Sequence, residues 1–228
     1  MTVTSPTQSA RIEPAGQARV TVGVIRVAAG LLVLAAMITQ IADTIIYDVF
    51  VPSEYFSYFT IQSSMMNIVV LLVGGVLAFR YRRDTVLYTG VRSAITVFAV
   101  VTGVVYNVLL RGIPAEGYVG VQWPTEVHHV WIPIYILIDW LLATGRARIG
   151  YRWLWVAVGF PIAWCAFTLI RGAATDWYPY PFINPATDGW GSVVIYIVGL
   201  AGFIVGLAAL AITYARRWSR QIDGEITP

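Results

Sequence analysis

Long apolar runs, each bounded by polar or charged residues, make up most of this chain. Six of them extend over Thr21–Ile41, Ser57–Ala78, Val86–Leu110, Glu126–Ala143, Trp153–Ile170 and Gly191–Tyr214. About 20 apolar residues in an α-helix cross the ~30 Å hydrocarbon core of a bilayer. The runs are continuous rather than alternating, which is the pattern of helices and not of barrel strands. The pattern therefore predicts an all-α, six-transmembrane-helix bundle over residues 20–217.

The two ends of the chain are polar and break this pattern. Residues 1–19 are rich in Ser, Thr, Pro and Gln, which predicts a disordered cytoplasmic tail, and residues 218–228 predict a second cytoplasmic tail. The composition agrees with a membrane protein, because 58% of the residues are hydrophobic and only 12% are charged. A soluble domain carries about a quarter charged residues.

The basic residues, all of them arginine, orient the predicted bundle. Of the 15, all but Arg111 and Arg171 fall on one side of the six runs, together with both chain termini. The positive-inside rule therefore predicts that both termini are cytoplasmic. A chain with no lysine is typical of a GC-rich coding genome, so we expect a bacterial protein of the inner (plasma) membrane. The net charge of +3 then reflects topology and contact with membrane lipids, not nucleic acid.

Polar side chains inside two of the runs are the candidates for chemistry, because ionisable groups are costly in a membrane. Thr60, Ser64 and Asn67 share one face of the second run, and His128 and His129 lie near the outer end of the fourth. Thr60 and the histidines are predicted to lie at a similar depth. A hydroxyl beside an imidazole indicates a nucleophile with its general base. Helix packing is the alternative role for Ser64 and Asn67.

Further candidates lie at the outer ends of other runs. Tyr106 and Asn107 are candidates to steady an oxyanion, and Arg111 and Arg171 are candidates to bind a carboxylate. Snorkelling to the interface is the alternative for the two arginines. The connection TDWYPYPFINPATDGWG, residues 175–191, is predicted either to cover the outer helix ends or to form an interfacial aromatic belt.

Asp139 is predicted to have a structural role, and the histidines and the cysteine are not predicted to bind a metal. Asp139 lies ten residues beyond His129, about 15 Å deeper in a helix, so we expect a structural ion pair or water contact near Arg146. Adjacent histidines point about 100° apart on a helix, and the single cysteine, Cys165, is expected to be a small buried apolar residue. We therefore expect no metal and no cofactor.

Three stretches together resemble a known family. FSYFTIQSS in the second run, HHVWIPIYILIDW in the fourth and RGAATDWYPYPFINP after the fifth resemble the bacterial six-span "Pr-six-Pr" membrane proteins. That family is distantly similar to the eukaryotic androgen-induced and androgen-dependent membrane proteins, which are threonine hydrolases of fatty acid esters of hydroxy fatty acids. The resemblance to the bacterial family covers the chain from the first run onward.

The resemblance assigns roles to particular positions. It implies that Thr60 is the nucleophile and that His129, in H-x-x-x-P followed by Asp-Trp, is the base. The animal sequences separate histidine and proline by five residues, which would indicate His128 instead. The family commonly has asparagine at the position of Ser64.

The sequence thus predicts an integral membrane lipid esterase. Its expected partners are a lipid or fatty acid ester substrate and the surrounding membrane lipids. The residues expected to bind substrate are Asn107, Tyr106, Arg111, Arg171, His128 and Ser64. The alternatives are a transporter of small molecules or protons, which would use Asp139 and the histidines, and a lipid-binding membrane protein without chemistry.

Overall fold

The computed structural model describes residues 16–113 and 117–223, which form helices and no strand. The helices are α1 (Gln17–Ile46), α2 (Pro52–Tyr55), α3 (Phe59–Arg80), α4 (Val86–Val105), α5 (Trp123–Glu126), α6 (Ile132–Leu142), α7 (Leu154–Thr175) and α8 (Pro185–Asp223). π-Helical turns at Tyr106–Leu110 and Val127–Trp131 extend α4 and join α5 to α6. Short 3-10 turns precede α7 and α8 at Tyr151–Trp153 and Pro181–Ile183. The all-α prediction is confirmed.

Within the described ranges, five helices are long and apolar enough to cross a bilayer. They are Gln17–Ile46, Phe59–Arg80, Val86–Leu110, Tyr151–Thr175 and Pro185–Arg217. The predicted fourth span is instead divided into α5, a π turn and α6. Pro133 accounts for this division, because it lacks an N–H and its ring crowds the carbonyl four residues earlier. The protein is therefore a multi-pass helical membrane protein, and the number of six spans stays a prediction.

The two predicted tails are partly helical. α1 begins at Gln17, so the last residues of the predicted N-terminal tail are helical, while residues 1–15 lie outside the described ranges. α8 continues to Asp223, well into the predicted C-terminal tail, and residues 224–228 are likewise outside. Near its start α8 is interrupted at Asp188 and Gly189, where Gly189 adopts φ +76°. A left-handed φ of this kind is accessible mainly to glycine, so this bend depends on residue type.

α4 is the central helix of the bundle, because it packs against α3, α6, α7 and α8. Small residues allow this close approach, as is usual between membrane helices. A Cβ atom on Gly90 would overlap the ring of Trp153, and Ala94 and Ser93 are buried. The larger Phe98 contacts Phe59, with ring centroids 5.9 Å apart. This packing aligns the start of α3 with the end of α4, where the candidate site lies.

Charged side chains gather at the end of the bundle where α1 begins, which we call the arginine end. Arg19 Nη2 lies 2.6 Å from Asp84 Oδ1, and Arg92 extends the cluster from Asp84 to Asp139. Arg26 closes it with Nε 3.1 Å from Asp139 Oδ1. All five side chains are at least nine-tenths buried. The cluster joins α1, α4, α6 and the connection before α4, and thereby holds these helices in register.

The ion pair expected at Asp139 is present, but its partner is not Arg146. Arg146 is buried and stacks on the rings of Trp140 and Tyr214, with its guanidinium carbon 5.4 and 5.0 Å from their centroids. Burial lowers the pKa of Arg146 to about 10. The sequence distance between Asp139 and Arg146 was a poor guide because α6 ends at Leu142, and the chain then leaves the helix direction.

Candidate active site

Thr60 and His129 meet at the opposite end of the bundle, which we call the histidine end. The Thr60 hydroxyl Oγ1 lies 3.2 Å from His129 Nε2, although 69 residues separate them in the chain. Thr60 is the second residue of α3, and His129 is in the π turn between α5 and α6. The predicted nucleophile and base are therefore within hydrogen-bonding distance.

The other nitrogen of the His129 ring defines its tautomer. Nδ1 lies 2.8 Å from the carbonyl oxygen of Thr125, which can only accept a hydrogen bond. Nδ1 therefore carries the proton and donates it, and Nε2 accepts from the Thr60 hydroxyl. This is the arrangement required of a general base facing a nucleophilic hydroxyl. A backbone carbonyl takes the orienting place that a carboxylate has in a Ser-His-Asp triad.

Proline and asparagine shape the turn that carries His129. Pro133 has no N–H to offer the carbonyl of His129, four residues earlier. Asn107 supplies the missing donor, with its Nδ2 3.2 Å from that carbonyl and 2.8 Å from the carbonyl of Gly103. A Cβ atom on Gly103 would lie 2.9 Å from Pro133, so glycine is required for this approach. Both amide hydrogens of Asn107 are thus engaged with carbonyls, which positions the turn, and the oxyanion contact predicted for Asn107 stays a prediction.

Tyr106 and Arg111 surround the outer side of the imidazole. The Tyr106 ring stacks on His129, with centroids 3.9 Å apart and planes 22° apart. Arg111 donates from Nη2 to Glu126 Oε2 at 2.9 Å and from Nε to Asn107 at 2.8 Å. The hydrogen bond to Glu126 raises the pKa of Arg111. Arg111 is therefore an ion-paired residue at the exposed rim and is not among the residues that line the cavity described below.

The connection between α7 and α8 lies over the histidine end of the bundle, where Tyr180 contacts Thr60. This position agrees with the predicted cover over the helix ends. The Tyr180 hydroxyl lies 3.4 Å from Thr60 Oγ1 and 3.4 Å from the Thr60 backbone nitrogen. Tyr180 is buried against Phe182 and Tyr58, with ring centroids 5.3 and 5.7 Å away. Burial raises the pKa of Tyr180 to about 12, so its phenol is protonated at neutral pH.

An apolar cavity of about 380 Å³ begins at Thr60 and extends between α4, α7 and α8. Its walls include Val105, Leu169 and Ile204, and its cover is formed by Tyr180 and Phe182. The volume is within the 300–1,000 Å³ range of small-molecule sites. Cys165, expected to be buried, is only partly so and also lines the wall. The cavity suits a hydrocarbon chain whose reacting group lies next to Thr60.

His128 and Ser64 form a second pair, set apart from the cavity. His128 Nδ1 lies 2.9 Å from Ser64 Oγ, and His128 is 3% exposed. Neither residue is among those that line the cavity, and the bond between them joins α3 to the π turn. The substrate contact predicted for both stays a prediction. Neighbouring residues of a helix point in different directions, so His129 contacts Thr60 while His128 contacts Ser64. His128 Nε2 and Asn67 Oδ1 are buried and have no hydrogen-bond partner among the residues that the structure describes.

Arg171 lies at the end of α7 beside the covering connection. Its guanidinium carbon is 4.4 Å from the centroid of the Trp177 ring, and Nη1 is buried with no acceptor within the described part of the chain. It does not line the cavity. The guanidinium thus has an aromatic contact and an N–H group left to donate, and the carboxylate contact expected of Arg171 stays a prediction.

Sequence reasoning missed two contributors to this site. Thr125 contributes only its carbonyl, which no side-chain pattern reports. Tyr180 lies in an aromatic-rich stretch that also fits an interfacial belt, and only the fold brings its hydroxyl to Thr60. Among the described residues, no group of three or more His, Cys, Asp or Glu side chains converges in a way that would hold a metal ion.

The fold and the site together define a class of protein. It is a multi-pass helical membrane protein in which a buried threonine at an apolar cavity contacts a partly buried histidine. No family model matches the chain, and no curated protein or solved structure matches it significantly.

Proposed function

We propose that this protein is an integral membrane esterase that hydrolyses fatty acid esters, with Thr60 as nucleophile and His129 as general base. The observation that carries the proposal is the 3.2 Å contact between Thr60 Oγ1 and His129 Nε2, with Nδ1 fixed by the Thr125 carbonyl. A threonine hydroxyl is a weak nucleophile unless a base removes its proton. A neutral imidazole of the correct tautomer at this distance is such a base.

The apolar cavity supports a fatty acyl substrate. It begins at Thr60 and is lined almost entirely by hydrocarbon and aromatic side chains. Each methylene that a substrate buries there contributes about 0.8 kcal/mol. The resemblance of the chain to the "Pr-six-Pr" proteins, and through them to animal threonine hydrolases, narrows the proposed substrate to esters of hydroxy fatty acids.

The proposed chemistry proceeds in two halves. Thr60 Oγ1 attacks the ester carbonyl carbon, and its proton passes to His129 Nε2. The tetrahedral intermediate collapses, the alcohol leaves with that proton, and an acyl-threonine remains. Water then attacks the acyl carbon, giving its proton to His129, and collapse releases the carboxylic acid as the proton returns to Thr60. Acid and alcohol are the products, and water is the only co-reactant.

The proposed topology has six spans with both termini in the cytoplasm of a bacterial cell. Arginine bias supports this orientation. The helical path from α5 to α6 supports the sixth span, since His129 contacts Thr60 at the histidine end and the Leu141 carbonyl accepts from Tyr214 near the other. The histidine end then faces outward, and esters reach Thr60 from the outer leaflet of the inner membrane.

Asp139 distinguishes this proposal from a proton-coupled transporter. A proton path needs a carboxylate that can take up and release protons. Asp139 is instead held between Arg26 and Arg92, at the end of the bundle opposite the histidines. The contacts of Asp139 therefore favour a structural role.

The test is ester hydrolysis by the full chain in detergent, together with labelling by a fluorophosphonate probe. We expect Thr60→Ala to abolish both, and His129→Ala to reduce hydrolysis about 100- to 10,000-fold. His128→Ala should have a milder effect. Thr44→Ala is the matched control, because the Thr44 hydroxyl only bonds the carbonyls of Gln40 and Ile41. Hydrolysis that survives in the Thr60 variant would disprove the mechanism.

A further inference from the structure

The hydroxyl of Tyr180 occupies an unusual position for a side chain in a connecting segment. It lies 3.4 Å from both the Oγ1 and the backbone nitrogen of Thr60. The Thr60 N–H is one of the first four of α3, which have no acceptor inside the helix. These amides, at the positive end of the helix dipole, favour negative charge. In the resting site the Thr60 N–H donates to the phenol oxygen, and the phenol O–H is left to donate to Thr60 Oγ1, because that hydroxyl gives its own hydrogen to His129. An anion that forms beside Thr60 can take over both donors, the phenol O–H and this N–H.

Three other polar side chains near Thr60 are engaged with partners away from the cavity. The amide hydrogens of Asn107 bond the carbonyls of Gly103 and His129. Trp164 Nε1 donates to the Ser57 carbonyl at 2.9 Å. The Thr102 hydroxyl lies 3.1 Å from Ser63 Oγ, which itself donates to the carbonyl of Thr60. Tyr106 also lines the cavity and stays a candidate, but its contact with the site is the stacking of its ring on His129. Tyr180 is the cavity-lining tyrosine whose hydroxyl lies within 3.4 Å of Thr60 Oγ1, so it is the better placed to donate a hydrogen bond to a reacting carbonyl.

We propose that Tyr180 is a catalytic residue, and that its hydroxyl and the Thr60 N–H together form the oxyanion hole. This inference rests on the esterase function proposed above. When Thr60 Oγ1 bonds the ester carbon, the π electron pair of the carbonyl moves onto oxygen. That oxygen then accepts hydrogen bonds from the Tyr180 O–H and the Thr60 N–H. The pair returns to carbon as the alcohol leaves, and the same donors act again when water attacks the acyl-threonine.

The packing of Tyr180 makes its hydroxyl a fixed donor. The ring stacks on Phe182 at an interplanar angle of 4°, and Tyr58 and Trp164 contact it from other sides. Aromatic contacts therefore hold the ring without help from the hydroxyl. Fixed donors need no reorganisation when charge develops, which is the source of their catalytic effect. The same packing means that Tyr180→Phe removes one oxygen and leaves the cover of the cavity in place.

The experiment compares Tyr180→Phe with Tyr178→Phe, its matched control in the same connection. Loss of one oxyanion donor lowers kcat by about 100- to 1,000-fold. We expect this loss for Tyr180→Phe with KM little changed, and no loss for Tyr178→Phe. A long-chain trifluoromethyl ketone, which forms a tetrahedral adduct with the nucleophile, should lose affinity by the same factor as kcat/KM.

The outcomes separate this inference from the proposed function. If Thr60→Ala is inactive while Tyr180→Phe retains its kcat, the hydroxyl only caps α3, and the inference fails while the esterase stands. If Tyr180→Phe weakens the binding of the ketone and of the substrate equally, or lowers Tm together with activity, the role of the Tyr180 hydroxyl is structural and the inference also fails. Hydrolysis that persists in Thr60→Ala instead disproves the esterase mechanism itself.

Discussion

Asp139→Asn is the substitution whose effect follows most directly from the structure. Asparagine keeps the size of the side chain and removes its charge, so no cavity is created. Arg92 keeps a second partner, because its Nη1 lies 3.6 Å from Asp84 Oδ2. Arg26 keeps neutral acceptors, the Gly74 carbonyl 3.3 Å from its Nη1 and the amide oxygen of the new asparagine, but loses the carboxylate in contact with it. The substitution therefore leaves one fully buried guanidinium without a counter-charge.

The expected loss is large because a buried charge that loses its partner costs about 3–5 kcal/mol. For a chain of this size, 1 kcal/mol corresponds to roughly 2–4 °C in Tm. Asp139→Asn should therefore lower Tm by about 10 °C, measured by tryptophan fluorescence during heating in detergent. Activity per folded molecule should be unchanged, because Asp139 lies at the arginine end and Thr60 at the other.

Glu126→Gln is the matched control for this experiment. It also replaces a carboxylate that pairs with an arginine, at 2.9 Å, but both side chains are about two-fifths exposed. Exposed pairs contribute little, so its Tm should stay within about 2 °C of the wild type. Equal losses of Tm for the two variants would refute the reasoning from burial. A loss of activity in folded Asp139→Asn would refute the structural role of Asp139.

Three further predictions concern the site itself. Gly103→Val should lower kcat about 100-fold, because its Cβ would lie 3.2 Å from the His129 carbonyl and displace the turn that carries the imidazole. A displacement of about 1 Å is enough for such a loss. Gly202→Val is the control, because its Cβ would enter open space. Ala201→Trp should fill part of the cavity and lower kcat/KM for long-chain esters about fourfold per displaced methylene, and an equal loss for short-chain esters would contradict this. Burial raises the pKa of Tyr180 to about 12, so its hydroxyl keeps its proton at pH 10. The kcat of the wild type should therefore not fall near pH 10, and a fall there that is absent in Tyr180→Phe would contradict this.

The parts of the site that the sequence predicted are those that follow from helix depth. Thr60 and His129 each lie close to one end of a long apolar run, and the two ends meet at the histidine end of the bundle. Depth cannot tell which helices are neighbours, so the contact itself required the fold. The resemblance supplied the choice of His129 over His128, and the structure gives the same residue the contact with Thr60.

The missed features depend on contacts between distant segments. Arg26 was counted as a topology determinant in the first run, but it reaches Asp139, 113 residues away, because α1 and α6 converge at the arginine end. Asn107 was expected to face substrate, but Pro133 leaves a carbonyl without a donor and Asn107 satisfies it. In both cases a polar side chain bonds a group on another segment of the chain, which the spacing along one helix does not reveal.

The π turn at Val127–Trp131 has a consequence for comparing related chains. A π-helical hydrogen bond encloses one residue more than an α-helical bond, so a single insertion or deletion is absorbed there while both flanking helices stay in place. The number of residues between a histidine and Pro133 is then an unreliable measure of which imidazole faces Thr60. Two chains that differ by one residue in this spacing can present the same imidazole to the same threonine. Alignments across this turn should therefore match the histidine that contacts the threonine hydroxyl and place any gap within the π turn.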